Sequence, residues 1–261
     1  MNRTRYFPKH SKPAVTPAKK ENVWVFVMAG QSNMAGRGLV EPTDTVPLQR
    51  LLSIDQSGGL VLAKEPLHFY EPSLAGLDCG YAFGKTVLQN IPDSVSVLLI
   101  PTAVGGSSIS QWLGDSIYRH VKLFSNFKEK IAIAKQYGTV KAVLWHQGES
   151  DANPGEIPLY KARLAELVKR FRSATNNDQL PVLLGELGQF STDKQNWGLL
   201  NEAIHAYAAE DKNTTVIATG DLKDKGDKIH FNSNGQRKLG ERFANAFLLI
   251  HQTMHPNRDN E

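Results

Sequence analysis

Three residues of this chain have the types and arrangement that acyl transfer needs: Ser32, Asp227 and His230. A serine hydroxyl is a weak nucleophile at neutral pH. It needs an imidazole to take its proton, and the imidazole needs a carboxylate to fix its tautomer. Ser32 stands in Gly30-Gln31-Ser32-Asn33-Met34-Ala35-Gly36, and Asp227-Lys228-Ile229-His230 lies near the other end of the chain. A spacing of three lets Asp227 curl back onto His230 within one turn. Asp221 and Asp224 compete for the same role. Taken alone, Ser32 would be a helix cap and His230 a surface residue.

What brings such residues together is the pattern of elements around them. Val23 to Ala29 is an unbroken apolar run that reads as a buried parallel strand, and it stops at Gly30, so Ser32 falls at the strand's carboxyl edge. Further strands are expected at Val95–Ile100, Val140–Trp145, Leu180–Leu187 and Thr214–Thr219. Helices are expected between them: Gly80–Asn90, a stretch through Phe127, Ile131 and Ala134 capped at Gly138, one through Tyr160, Leu164 and Phe171, and one through Trp197 and Tyr207. A last helix opens at Ser233-x-x-Gln236, which has the form of a capping box. Alternation of five strands with helices predicts an α/β fold, a three-layer α/β/α sandwich around a five-stranded parallel sheet. The long Pro-, Gly- and Ser-rich stretch from Gly38 to Asp78 is expected to form a substrate-binding rim, with His68 a structural or surface histidine. There is no internal repeat.

Gly105-Gly106 and His146-Gln147-Gly148-Glu149-Ser150-Asp151 also follow predicted strands, so the polar loops converge on one sheet edge. The blocks GQSNMAGRG, AVGGSSISQW, LWHQGESDA and DKIHF, collinear from about Val23 to about Leu249, resemble the SGNH hydrolase superfamily. They are most similar to its carbohydrate esterase family six and sialate O-acetylesterase-like branch. The resemblance implies a flavodoxin-like SGNH hydrolase fold and a serine esterase that removes acetyl groups from carbohydrates of acetyl xylan or O-acetylated sialic acid type. It also implies a Ser32-His230-Asp227 triad, since the family's D-x-x-H falls on Asp227. The implied oxyanion hole comprises the N–H of Ser32, an N–H from Gly105 (first choice) or Gly106, and a side-chain amide from the third block. Gln147 is the only such amide there, because an ionised Glu149 cannot donate. Glu149 and Asp151 are then acceptors that hold loops together. Gln31, Asn33, Trp112 and Glu149 complete the candidates for substrate binding or loop support. The G-x-S-x-G elbow is not matched, since Met34 stands where its last glycine belongs. Two other classes fit less well: a lipase- or thioesterase-like hydrolase, which would want apolar loops, and a non-catalytic glycan-binding relative, which would not need a triad.

The chain has 261 residues, 41% hydrophobic, enough for one large core. Its net charge of +4 owes much to Arg3, Arg5, Lys9, Lys12, Lys19 and Lys20. Residues 1–21 are accordingly expected to be a flexible basic tail, 22–252 the catalytic domain and 253–261 a polar tail. No aromatic-interleaved basic motif points to nucleic acid, no apolar run is long enough for a membrane, and no P-loop, dinucleotide motif or metal-ligand spacing calls for a cofactor. The expected partner is an acetylated carbohydrate; the sequence does not specify an oligomeric state. One cysteine, Cys79, excludes an internal disulfide without fixing the compartment. Without an apolar leader the sequence reads as cytoplasmic, or as secreted or periplasmic if a signal has been removed.

Overall fold

The computed structural model describes residues 3–17 and 19–254. Strand β1 (Val23–Gly30) is its axis, with all eight residues buried. Successive side chains alternate between faces, so Val23, Val25, Val27 and Ala29 enter one core, and Trp24, Phe26 and Met28 the other. Burial on both sides is why the run shows no polar alternation.

In chain order β1 is followed by α1 (Ser32–Ala35), β2 (Leu51–Ile54), β3 (Leu60–Leu62), α2 (Gly80–Leu88), β4 (Ser96–Pro101) and α3 (Ile109–Leu113). Then come β5 (Ile117–Tyr118), β6 (Val121–Lys122), α4 (Leu123–Tyr137), β7 (Thr139–His146), α5 (Ile157–Thr175), β8 (Val182–Gly185), α6 (Lys194–Ala208), β9 (Thr214–Ile217) and α7 (Ser233–Met254). The main sheet runs β3-β2-β4-β1-β7-β8-β9, and β5-β6 is a separate hairpin. Residues of α3, α4, α5 and α6 fill the first core, and residues of α2 and α7 the second. This is the three-layer sandwich.

All five predicted strands are present, and numbered among themselves they run 2-1-3-4-5, the flavodoxin-like order. The sheet nevertheless has seven strands, not five. The two additions lie inside Gly38–Asp78: β2 pairs parallel with β4, and β3 pairs antiparallel with β2 at the edge. The rest of that segment is held by buried polar groups. His68 Nδ1 lies 2.8 Å from Asp78 Oδ2, and Glu65 accepts from the N–H groups of Asp78 and Tyr81. His68 is therefore structural.

The basic N-terminal stretch, expected to be a flexible tail, is laid along the sheet edge. Pro13 bridges Val61, the Ala14 N–H donates to Leu60 O and the Leu62 N–H to Lys12 O. Arg3 reaches the Ala75 carbonyl. At the other end α7 runs through Met254, and residues 255–261 of the expected polar tail lie outside the described residues. Asn232, not Ser233, caps α7, its Oδ1 accepting from the Gly235 N–H at 2.7 Å. The Ser233 hydroxyl donates to Leu39 O, and the Gln236 amide donates to Asn33 O.

Candidate active site

β1 lies between β4 and β7, and the strand order reverses beside it, so three strand exits meet at one point. Gly30 closes β1 with φ +136°, and a Cβ there would run into the His146 carbonyl, so only glycine fits. The close approach lets the Gln31 N–H donate to His146 O and the Val104 N–H to Gly30 O, at 3.0 and 3.1 Å. Ser32 opens α1 and is 6% exposed.

His230, the candidate base, lies on the loop between β9 and α7. His230 Nδ1 lies 2.7 Å from Asp227 Oδ2, and Nε2 lies 3.0 Å from Ser32 Oγ. A carboxylate can only accept, so the proton sits on Nδ1 and Nε2 is left to receive the serine hydroxyl. Asp227 Oδ1 accepts from the N–H groups of Ile229 and His230, at 3.0 and 2.8 Å. Burial works to raise the Asp227 carboxyl, but the His230 imidazole and these two amides outweigh it and hold its pKa at about 2. The rival carboxylates are occupied elsewhere. Asp224 caps the N–H groups of Gly226 and Lys228, and Asp221 pairs with Arg242.

Asn33 and Glu149 support the loops. Asn33 is 1% exposed; its Nδ2 donates to Glu149 Oε1 and Ile229 O, and its Oδ1 accepts from the Phe231 N–H. Trp112 is fully buried against Trp145 and Phe171, with its indole N–H on Ser107 Oγ, and so belongs to the core; the substrate-stacking reading is set aside.

Two oxyanion expectations meet competing partners. The Gly105 N–H donates to Glu71 Oε2 at 2.6 Å. The fully buried Gln147 amide donates to Gln31 Oε1, to Ser107 O and to Asp151, while its oxygen accepts from the Tyr160 hydroxyl. Gly106, at φ +81°, makes no backbone N–H donation to the described residues and stands beside Gly105. Gln31 offers a further amide. Its Oε1 accepts from Gln147 Nε2 and from the N–H groups of Gly148 and Ser150, which fixes the orientation. Its Nε2 consequently turns the other way, with no acceptor among the described residues and without being sealed from solvent.

Glu71, Arg37 and Arg119 were not legible as site residues, because Glu71 lies in the irregular segment and matches no motif. Its Oε2 accepts from Arg37 Nη2 at 2.9 Å, and its Oε1 accepts from Arg119. Burial tends to raise the Glu71 carboxyl, but Arg37, the Gly105 N–H and Arg119 together hold its pKa below the usual range.

The sequence and the fold have relatives among known proteins. The family model for carbohydrate esterases, described as sialic acid-specific acetylesterase, matches residues 22–249. The chain belongs to that family. A probable carbohydrate esterase of Arabidopsis thaliana is 28% identical over 262 residues, covering 92% of this chain and 96% of that protein. An X-ray structure of an Arabidopsis thaliana protein superposes with a TM-score of 0.77 at 27% identity, over 88% of this chain and 98% of that one. NanS shares the fold, with a TM-score of 0.72 at 18% identity over 92% of this chain and all of that one. As a member of the carbohydrate esterase family the protein is a carboxylic ester hydrolase with an SGNH-type fold. Among the described residues no helix is long and apolar enough to cross a membrane.

Proposed function

We propose that the protein is a serine O-acetylesterase acting on acetylated carbohydrates, with Ser32 as nucleophile, His230 as general base and acid, and Asp227 as the carboxylate that orients it. The unbroken relay from Asp227 through His230 to Ser32 carries this reading.

Ser32 Oγ attacks the acetyl carbonyl carbon as its proton passes to His230 Nε2. Charge gathers on the carbonyl oxygen, and the imidazolium is stabilised by Asp227. Collapse expels the sugar oxygen, which takes the proton from Nε2 and leaves acetyl-Ser32. Water, deprotonated by His230, then attacks the acetyl group; acetate leaves and the proton returns to Ser32. For the oxyanion we assign the N–H groups of Ser32 and Gly106 with the outward Nε2 of Gln31. Gly105 and Gln147 act behind them by fixing the loops that present these donors.

The test joins labelling with turnover. A fluorophosphonate should modify Ser32, and Ser32→Ala should stop acetate release from a panel of acetylated xylo-oligosaccharides and sialates while the fold is kept. A label on Ser107, Ser108 or Ser150, or a Ser32→Ala variant retaining more than about a tenth of the rate, overturns the assignment.

A further inference from the structure

The Gly106 N–H assigned to the oxyanion belongs to a turn built from two glycines. The Ser107 N–H donates to Val104 O at 3.3 Å and closes a four-residue turn with Gly105 and Gly106 at its corners. Gly106 has φ +81° whereas Gly105 lies outside the positive-φ region, the combination of a type II turn. Two adjacent glycines are the costliest pair to hold in one conformation, so such a turn needs an outside hold to keep its N–H aimed.

That hold is a chain of three hydrogen bonds. Arg37 stands directly after Gly36 at the end of the Ser32 loop; its Nη1 donates to Gly36 O at 2.8 Å and its Nη2 to Glu71 Oε2 at 2.9 Å. The same carboxylate oxygen accepts the Gly105 N–H at 2.6 Å. Arg119, from the tip of the β5-β6 hairpin, takes the other oxygen, so Oε2 is left to Arg37 and Gly105. The Arg37 and Glu71 side chains are only 7% and 6% exposed, so water competes little for these bonds. The fit is close: a Cβ on Gly105 would collide with Arg37 Nη2 and come within 2.7 Å of Glu71 Oε2. On the far side of the turn the Ser150 hydroxyl donates to Gly106 O at 3.0 Å. The peptides before and after the one that carries the Gly106 N–H are therefore both tied, the first of them by Glu71.

We propose that Glu71 is a positioning residue for the oxyanion hole: held by Arg37 at the end of the Ser32 loop, it anchors the Gly105 N–H and so sets where the Gly106 N–H stands relative to Ser32. The inference rests on the esterase reading above and adds a residue to it. Glu71 does not touch the substrate. Its hydrogen bond to Gly105, rather than its charge, does the positioning, and this separates it from an ion pair that only stabilises the fold.

Two substitutions of Glu71 in the full chain separate the bond from the charge. Glu71→Gln keeps an oxygen for the Gly105 N–H, and Arg37 and Gly105 offer it two donors on one side against Arg119 on the other. Glu71→Leu keeps none. Both leave Arg37 buried without its counter-charge, so both should melt lower than the wild type. The rates should part: kcat for acetyl-ester hydrolysis per folded molecule should fall by about ten- to a hundredfold in Glu71→Leu and by less than about threefold in Glu71→Gln, with KM nearly constant in each. In Glu71→Leu, fluorophosphonate labelling of Ser32 should slow in step, because the phosphoryl oxygen fills the same hole. The midpoint of the pH–rate profile should not move, because His230 keeps its partners. Gly105→Ala pries the turn off the pair with every charge in place, and it should give the same kinetic signature even if Glu71→Leu does not fold. Wild-type rates per folded molecule in Glu71→Leu or Gly105→Ala overturn the proposal, as do equal losses in Glu71→Gln and Glu71→Leu or a displaced pH midpoint. A wild type that neither hydrolyses an acetyl ester nor takes the label sinks the esterase reading and this inference with it; an active wild type with unaffected variants sinks this inference alone.

Discussion

Glu149 Oε1 accepts a hydrogen bond from Asn33 Nδ2 at 2.5 Å, and that bond decides which way the Asn33 amide faces. With Nδ2 turned to the carboxylate and to Ile229 O, Oδ1 is left for the Phe231 N–H. The two main-chain bonds straddle His230, so the residue next to Ser32 sets where the imidazole sits. Misplacing a reacting group by a fraction of an ångström is costly in rate. Asn33→Leu and Glu149→Ala should each lower kcat by about ten- to a hundredfold with KM little changed. Steady-state kinetics with the rate of fluorophosphonate labelling of Ser32 check this; normal labelling would show that the imidazole had not moved.

Gln31 and Gln147 should separate cleanly. If Gln31 Nε2 donates to the oxyanion as proposed, Gln31→Met lowers kcat by about a hundredfold with KM nearly constant. Gln147→Glu puts a second carboxylate against Asp151, whose own pKa is already raised, chiefly by burial. Its expected mark is a lower melting temperature, with a smaller change in rate per folded molecule. If Gln147→Glu instead lost rate at full stability, the oxyanion assignment would pass to Gln147.

Asp227 ties the relay to acid stability. Its folded pKa of about 2 is depressed from 3.8, so its contribution is complete above 3.8 and disappears as pH falls through about 2. Asp227→Asn should therefore melt lower than wild type at neutral pH, with the gap closing as the pH approaches 2. Melting curves across that range test it; a gap that stayed constant with pH would show that the charge is not what stabilises the loop. In the same variant kcat should fall by about three to four orders of magnitude.

Removing one partner from a buried ion pair leaves the other charge stranded. Glu71→Leu strands Arg37 and frees the Gly105 N–H, and should cost about 3–5 kcal/mol in urea unfolding. A loss below about 1 kcal/mol would place the pair in the class of solvent-screened surface bridges.

The sequence made the parallel strands and the Ser32 loop legible because Val23 to Gly30 is long, apolar and punctuated by glycine. β2 and β3 escaped for the opposite reason: Leu51–Ile54 and Leu60–Leu62 are four and three residues long, set in polar turns. Ser32 and His230 could be paired because few residue types can form such a relay, whereas the choice of Asp227 over Asp221 and Asp224 came from the resembled family's D-x-x-H pattern. Gln147 and Glu71 could not be read in the same way. Whether an amide faces the substrate or its neighbours depends on which acceptors surround it, and Ser107 O and Gln31 Oε1 reach Gln147 only through the folded loops. Ser233-x-x-Gln236 had the spacing of a cap, yet tertiary partners claimed both side chains.

The bonds that Lys12 and Ala14 make to β3 bear on how the protein keeps to itself. Without them Leu60 and Leu62 would present open amide and carbonyl groups on an apolar border strand, a template on which a second molecule could add its own strand. Proteolytic nicking within residues 3–17 would then leave the relay at Ser32 untouched and still open an edge prone to strand-to-strand aggregation.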